Sequence, residues 1–286
     1  MKLAMLGVEN SHADAFGKLI CENPEKYGDM EIIGVYSDDP AASQRIVDAG
    51  YTSFIAQTPD EFLGKADAVA VVARHGDNHL KYALPYVKAG IPCFIDKPFC
   101  ADLRDAYALA NAAKESGAPL CGGSCIKFLT ELVPLARLVK EKKPVGGTVA
   151  CPISMVNPYG GFWFYSQHLI EMLIAVFGRE VRSVTAVCPD ESENRLTVIF
   201  HYEDFDVCGL YTNSYTYYAN VLFADGTVYD GRCENVVYAY ETELDEFLTM
   251  AKTGEMPESY DSLVYPVKLL DAIYRSYTEK REVKVE

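Results

Sequence analysis

The sequence predicts an α/β protein in two parts: a doubly wound parallel sheet, then an α/β part with a large, mostly antiparallel open sheet. Over the first 122 residues, apolar runs of strand length alternate with amphipathic helix patterns. After residue 180, several strand patterns follow one another with turn signals and no helix between them. Repeated strand–helix alternation is typical of parallel strands joined by right-handed crossovers, whereas consecutive strands favour antiparallel pairing.

The first part contains five strand patterns separated by helix patterns. The strand runs are KLAMLG (2–7), EIIGVY (31–36), AVAVVA (68–73), PCFI (92–95) and PLCGG (119–123). The run AVAVVA has no alternation, as expected for a strand covered on both faces. Ser11 with Asp14 predicts a capping box at the first helix, and Thr58 with Pro59 predicts another helix start.

The second part begins with a helix over about 127–140 and the strand GTVACPISMV (147–156). A glycine-bearing loop then leads into a helix that ends at Gly178. Asp225-Gly226 is a hairpin signal between two later strands. Two closing helices and a short terminal strand, REVKVE, complete the chain. Because no flexible linker is evident, the sequence predicts a tight boundary and two domains, 1–122 and 123–286.

Composition and charge exclude several classes of partner. The net charge of −15 disfavours nucleic acid and anionic membranes, since both require a basic surface. No apolar segment approaches the roughly 20 residues of a membrane span, and the start of the chain lacks a signal-peptide pattern. Nine cysteines are scattered without a disulfide framework, which indicates reduced thiols and a cytoplasmic location.

Two motifs carry a family resemblance. YVKAGIPCFIDKPF (86–99) resembles a segment of the form AGKHVxxEKP, with Asp96, Lys97 and Pro98 at its Glu-Lys-Pro. GGFWFYSQHLIEML (160–173) resembles a stretch ending in GxHxxD, with His168 at the histidine. Together with later segments in matching order, they make the chain similar to the Gfo/Idh/MocA family of glucose–fructose oxidoreductases and inositol dehydrogenases.

The resemblance implies an NAD(P)-binding Rossmann domain followed by a substrate-binding and oligomerisation domain. It implies a homodimer or homotetramer assembled through the second sheet. It also implies a small polyhydroxy substrate, so that the activity would be hydride transfer between a nicotinamide cofactor and a sugar, cyclitol or related compound. The alternative is a non-redox member: a ligand-binding or regulatory protein, or a lyase or glycosidase that uses tightly bound NAD transiently.

The phosphate-binding turn departs from the usual G-x-G-x-x-G pattern. Gly7 occupies the first position, but Glu9 and His12 replace the second and third glycines. A carboxylate near a pyrophosphate repels it, although the amino terminus of a helix still favours phosphate. Two alternatives remain. Either Glu9 points away while Asn10, Ser11 and His12 supply donors, or no dinucleotide binds; the intact frame favours retained binding.

Cofactor preference depends on the end of the second strand, where an acidic residue normally binds the adenosine ribose of NAD. Ser37 stands there with Asp38 next, which favours NAD over NADP; Asp38 could equally be a turn residue. By the resemblance, the remaining cofactor-binding positions are Ala73, His79, Asp96, Lys97 and Pro98. Arg74 stands where family members often have threonine, but it follows the AVAVVA strand at its carboxyl end, where ligands of such sheets bind. It could contact a phosphate of the cofactor or an acidic substrate, or pair with a surface carboxylate.

By the resemblance, Lys97 would steady the substrate oxygen and His168 would accept the proton. Many family members carry an aspartate four residues before this histidine, where this chain has Phe164. Tyr165 could supply a hydroxyl in its place. Phe162, Trp163 and Tyr165 could bind the face of a sugar or form core. Glu171 follows His168 by one helical turn, but no further ligands are evident, so no metal site is expected.

Overall fold

The computed structural model describes residues 1–188, 194–234 and 236–285. The chain forms two compact units. Unit 1 contains Met1–Gly123 together with Tyr240–Val264, and unit 2 contains Ser124–Ala239 together with Tyr265–Glu286. The first boundary lies one residue from the predicted one. The sequence-based division differs in that it assigned the whole of 123–286 to a second domain, whereas a later segment belongs to unit 1.

Unit 1 is built on a five-stranded parallel sheet, as the alternation of elements predicts. Its strands are β1 (Lys2–Leu6), β2 (Glu31–Tyr36), β3 (Ala68–Val71), β4 (Cys93–Asp96) and β5 (Leu120–Gly123). They lie in the order β2-β1-β3-β4-β5. The order reverses between β1 and β3, and ligands of such open sheets bind in the crevice at the carboxyl ends of the strands beside this reversal.

The helices of the first segment are α1 (Ser11–Glu22), α2 (Pro24–Tyr27), α3 (Pro40–Asp48), α4 (Asp77–Lys88) and α5 (Leu103–Ser116). Two local predictions are wrong. Asn10, and not Ser11, caps α1, because its side chain accepts the Ser11 N–H. The segment that starts at Thr58 forms turns in place of a helix; Gly64, with φ +71°, interrupts the helical conformation after a few residues.

Unit 2 contains a seven-stranded, mostly antiparallel sheet, in agreement with the sequence. In chain order its elements are α6 (Leu132–Glu141), β6 (Pro144–Pro152), α7 (Phe162–Phe177), β7 (Ser183–Val187), β8 (Leu196–His201), β9 (Asp206–Thr212), β10 (Tyr217–Phe223) and β11 (Val228–Cys233). The predicted helix over about 127–140 is divided into a short 3-10 helix, Cys125–Phe128, and α6. Asp225-Gly226 forms the predicted turn between β10 and β11, with Gly226 at φ +83°.

After β11 come α8 (Val236–Thr253), α9 (Tyr260–Glu279) and β12 (Val283–Lys284). The second sheet has the order β11-β10-β6-β9-β8-β7-β12, and only β6 and β9 pair in parallel. The helix α7 lies close to this sheet, because a Cβ at Gly147 of β6 would come within 2.4 Å of the Phe177 ring.

The core of unit 1 includes side chains from both of its chain segments. Leu244, Phe247, Leu248 and Met250 of α8 are buried in one cluster with residues of β1, β2, β3 and α1. Phe94 of β4 and Phe247 lie with their ring centroids 5.6 Å apart. Of the helices in the described residues, none is both long and apolar enough to span a membrane.

Candidate active site

The turn from β1 to α1 keeps the geometry that its first glycine provides. Gly7 has φ +76°, and a Cβ there would lie 2.4 Å from the Cβ of Ala73. Only glycine therefore fits, and its N–H donates to the Tyr36 carbonyl at 2.7 Å. In the described structure the substitutions of the other two glycines leave a regular strand–turn–helix, with α1 beginning at the crevice of the sheet. The sequence-based view of this loop as degenerate is not supported.

The Glu9 carboxylate is held by two groups at the ends of neighbouring strands. Its Oε2 accepts a hydrogen bond from the Ser37 hydroxyl at 2.8 Å, just after β2. Its Oε1 accepts the Arg74 backbone N–H at 3.0 Å, beyond the end of β3. Since both oxygens are engaged, the side chain has a defined position across the carboxyl ends of β2 and β3.

Asn10 and His12 direct their side chains into unit 1. Asn10 caps α1, and its Nδ2 donates to Oδ2 of Asp96 at 2.6 Å. The His12 imidazole lies between two carboxylates, with Nδ1 3.0 Å from Asp96 Oδ2 and Nε2 3.0 Å from Glu243 Oε2. His12, Asp96 and Glu243 are at most 2% exposed. Because both side chains are engaged within unit 1, any phosphate donors from Asn10 and His12 would be their backbone N–H groups, together with Ser11.

Asp96 connects this buried cluster to Lys97. Its Oδ1 accepts the Lys97 backbone N–H at 2.6 Å. Burial opposes ionisation of Asp96, but the His12 charge and hydrogen bond, with the nearby Lys97, outweigh it and hold the pKa of Asp96 below its usual value. Lys97 follows β4 directly and is 4% exposed. The ionised Asp96 therefore fixes the backbone from which the Lys97 side chain extends.

The Asp38 carboxylate forms its hydrogen bonds with residues other than Ser37. Its Oδ1 accepts the Tyr36 hydroxyl at 2.5 Å, while its Oδ2 accepts the Tyr82 hydroxyl at 2.7 Å and the Lys81 ammonium at 3.2 Å. The hydrogen bond from Tyr36 is the largest cause that lowers the pKa of Asp38. The Ser37 hydroxyl, in contrast, donates to Glu9 and accepts the Asp39 N–H.

His79 supports the end of β3. Its Nε2 lies 2.8 Å from the carbonyl oxygen of Ala73, and its Nδ1 lies 3.3 Å from that of Phe99. Burial lowers the pKa of the fully buried imidazole, which favours its neutral form. Ala73 and Pro98 are also buried. The His79 side chain thus joins Ala73, beyond the end of β3, to the segment after β4, and Ala73 packs directly against the Gly7 turn.

In unit 2, His168 on α7 has a specific partner. Its Nδ1 lies 2.6 Å from the Ser124 hydroxyl oxygen, which also accepts the Ile126 N–H at 3.2 Å. His168 is 6% exposed and Ser124 is fully buried. When Nδ1–H donates to Ser124, Nε2 is the nitrogen that can accept a proton. The geometry is therefore that of a base oriented by a serine.

Replacing Ser124 with alanine should lower kcat about tenfold, because one hydrogen bond that orients His168 is lost. The control is Ser166→Ala: Ser166 is buried on the same helix, and its hydroxyl has no hydrogen-bond partner among the described residues. A similar kcat for Ser124→Ala and Ser166→Ala would contradict the assignment.

The aromatic residues at the start of α7 divide into two groups. Phe162 is 3% exposed and packs against Tyr211 and Tyr274, with ring centroids 6.3 and 6.0 Å apart, which favours the core alternative for Phe162. Trp163 also packs on Tyr274, at 6.2 Å. Tyr165 is only half-buried, and its ring centroid lies 5.0 Å from that of His168.

Glu171 lies one turn beyond His168 and has a different partner. Its Oε1 accepts the Gln167 side-chain amide at 2.9 Å, in a buried environment. Phe164, which stands where many family members have aspartate, packs between Tyr159 and Tyr165 at 5.1 and 5.0 Å. The segment before His168 is therefore aromatic where a carboxylate is expected.

Two residues that contact the site residues, Glu243 and Ser124, are not predicted from the sequence. Glu243 lies in α8, more than 200 residues from His12, and no local pattern distinguishes it from its acidic neighbours. Ser124 follows β5 and caps the short 3-10 helix by accepting the Ile126 N–H. A serine in a capping position is a recognisable signal, but its contact with His168 depends on tertiary structure.

Residues 1–123 match the model of a family, Gfo/Idh/MocA, described as an oxidoreductase family with an NAD-binding Rossmann fold. No curated protein matches the sequence. The fold of the whole chain, in contrast, has many counterparts among solved structures.

Three of these structures show the similarity. GenD2 from gentamicin A biosynthesis, in complex with NAD, has a TM-score of 0.85 at 17% identity, covering 99% of this chain and 96% of GenD2. A myo-inositol dehydrogenase from Corynebacterium glutamicum has a TM-score of 0.81 at 16% identity, and the match covers 100% of this chain and 99% of that protein. A myo-inositol 2-dehydrogenase from Lactobacillus plantarum has a TM-score of 0.85 at 12% identity, and the match covers 100% of this chain and 99% of that protein. At these identities the likeness establishes the fold.

Proposed function

Because residues 1–123 match the model of the Gfo/Idh/MocA oxidoreductase family, we propose that this chain is an NAD-dependent dehydrogenase acting on a CH–OH group of a sugar, cyclitol or related polyhydroxy compound. The regular Gly7 turn into α1 carries the cofactor part of this proposal. The substrate class is supported by the likeness to two myo-inositol dehydrogenases. The NAD complex of GenD2 supports the cofactor.

The residues of unit 1 fit a dinucleotide. The turn at Gly7 is closed against Ala73, and α1 presents its amino terminus, where unsatisfied N–H groups and the helix dipole favour a pyrophosphate. The Glu9 carboxylate is bonded to Ser37 and to the Arg74 N–H, so the residue expected to obstruct the phosphates has partners at the ends of β2 and β3. Backbone groups from Gly7 to Ser11 would hold the pyrophosphate.

The chemistry follows from the side chains of each unit. Bound NAD would supply a hydride acceptor. By the resemblance, Nε2 of His168 would accept the proton of the alcohol, which leaves a carbonyl once the hydride is removed. The Lys97 ammonium would stabilise the oxygen as its negative charge develops. Tyr165 would contribute a hydroxyl near the proton acceptor.

Two further features of the proposal come from the resemblance. We propose that the chain assembles as a homodimer or homotetramer through the sheet of unit 2. A cytoplasmic location is proposed from the scattered cysteines, all of which are free thiols in the structure.

The decisive experiment is to denature the purified protein and search the released small molecules for NAD and NADP by mass spectrometry. Calorimetric titration of both dinucleotides and a turnover assay on a panel of cyclitols and sugars would follow. We expect NAD to bind and at least one polyol to be oxidised. NAD binding without any turnover would favour the alternative of transient NAD use, and failure to bind either dinucleotide would overturn the proposal.

A further inference from the structure

The carboxylate that recognises the adenosine ribose normally stands at the end of β2, and this position is occupied by Ser37. A serine hydroxyl is a weaker acceptor for a ribose hydroxyl than a carboxylate, and it carries no charge to reject a 2′-phosphate. The cofactor preference of the chain must therefore depend on another group near this strand end.

Two carboxylates lie close to Ser37. Asp38 follows it in sequence, but the Asp38 oxygens face Tyr36, Tyr82 and Lys81 and not Ser37. Glu9 comes from the turn after β1, and its Oε2 is 2.8 Å from the Ser37 hydroxyl oxygen. Of these two carboxylates, Glu9 is the one that is hydrogen-bonded to Ser37, the residue at the position that normally binds the ribose.

The sheet topology explains how a residue of the phosphate turn reaches this place. β1 lies between β2 and β3, so a side chain that leaves the end of β1 can contact the ends of both neighbours. Glu9 does so, with Ser37 on one side and the Arg74 N–H on the other. These contacts hold one half-buried carboxylate in the crevice where the fold binds its dinucleotide.

We infer that Glu9 is the specificity-determining residue for the cofactor, accepting a hydrogen bond from the adenosine 2′-hydroxyl and rejecting a 2′-phosphate by charge repulsion. The inference rests on the proposed function, since it concerns the same dinucleotide site. In this chain the carboxylate absent from the end of β2 is thus replaced by one from the turn after β1. Ser37 acts as a positioning residue that orients it.

The test compares the dissociation constants of NAD+, NADP+ and 2′-deoxy-NAD+, which lacks the adenosine 2′-hydroxyl, by calorimetry. The wild-type protein should bind 2′-deoxy-NAD+ about 10-fold or more weakly than NAD+, as expected for loss of a hydrogen bond to a charged group. NADP+ should bind about 100-fold or more weakly than NAD+, because its phosphate faces a carboxylate.

Glu9→Gln is the principal variant, since it removes the charge but keeps the shape and an acceptor for the Arg74 N–H. It should bind NAD+ about 10-fold more weakly than the wild-type protein does. The ratio of its affinities for NAD+ and NADP+ should also be smaller. Glu9→Ala should bind NAD+ and 2′-deoxy-NAD+ with equal affinity. Asp38→Asn is the matched control. It should retain the wild-type ratio of affinities for NAD+ and 2′-deoxy-NAD+.

Three results would overturn the inference. One is unchanged or tighter NAD+ binding by Glu9→Gln and Glu9→Ala, which would make Glu9 an obstruction. Another is that Asp38→Asn binds NAD+ and 2′-deoxy-NAD+ equally while the Glu9 variants still prefer NAD+, which would assign the role to Asp38. The third is equal binding of NAD+ and 2′-deoxy-NAD+ by the wild-type protein. If the wild-type protein binds no dinucleotide at all, the proposed function fails as well, and this result is distinct from the other three.

Discussion

Replacing His12 with alanine is expected to lower the free energy of unfolding of unit 1 by about 3–5 kcal/mol, the usual cost of removing one partner from a buried ion pair. The imidazole lies 3.0 Å from a carboxylate oxygen of Asp96 and 3.0 Å from one of Glu243. Without it, two carboxylates with almost no exposure face the space that the ring leaves. Both lose the cation that compensates for their burial.

Hydrogen exchange followed by mass spectrometry is the suitable measurement, because it resolves peptides of α1 and β4 from those of unit 2. Tryptophan fluorescence would report the wrong unit, since the single tryptophan, Trp163, lies in unit 2. His75→Ala is the matched control: it removes a half-buried histidine of unit 1 that is 3.7 Å from Asp77, and should cost less than about 1 kcal/mol.

A double variant separates charge from packing. Adding Glu243→Gln to His12→Ala removes one of the two carboxylate charges that have lost the imidazole, and it should restore part of the lost protection against hydrogen exchange. The wild-type protein should itself lose this stabilisation in acid. Because the folded-state pKa of Asp96 is lowered, the contribution is present above the ordinary Asp value of about 4 and disappears as the pH falls below it. Equal protection in His12→Ala and His75→Ala would refute this account.

Replacing His168 with alanine is expected to lower kcat about 10²- to 10⁴-fold, the typical contribution of a positioned general base. The residue is the proposed proton acceptor, and its Nδ1 is fixed by Ser124 at 2.6 Å. The effect should fall mainly on kcat, since the proton is transferred in the reaction and not on binding. Added imidazole should recover part of the rate if the cavity of the missing ring admits it.

His201→Ala provides the control for this experiment. His201 also lies in unit 2, where it contacts Asp206 at 2.9 Å and Thr185 at 3.0 Å on the sheet. Its replacement should leave the rate within about twofold of wild type. The assay uses whichever polyol of the panel the wild-type protein oxidises, with stopped-flow absorbance of the reduced cofactor. A similar kcat for His168→Ala and wild type would remove His168 from the mechanism.

The fold could be predicted because its main determinants are local. Apolar runs such as AVAVVA, separated by helix patterns, are sufficient to indicate a covered parallel sheet. The Asp225-Gly226 turn is likewise a property of two neighbouring residues. The prediction of a helix at Thr58 is wrong because its start signals are local, whereas the left-handed conformation of Gly64 prevents a helix from continuing through the segment.

The candidate site was less predictable, because its contacts join distant parts of the chain. Lys97 and His168 stand out through motifs, but the contact of His168 with Ser124 depends on tertiary structure. His12 looked like a phosphate donor in the sequence, since only its position in the turn was visible. Its carboxylate partners, Asp96 and Glu243, come from a strand end and a late helix. The direction of Glu9 similarly depends on Ser37 and Arg74.

The return of the chain to unit 1 has a consequence for protein dissection. An expression fragment that stopped at Gly123 would contain every strand of the parallel sheet and the full length of the family match, yet it would lack Leu244, Phe247 and Glu243. Its apolar face would be left open to solvent and His12 would lose one of its two counter-ions. Any transplantable version of unit 1 therefore has to be discontinuous, with Tyr240–Val264 grafted back by a new connection.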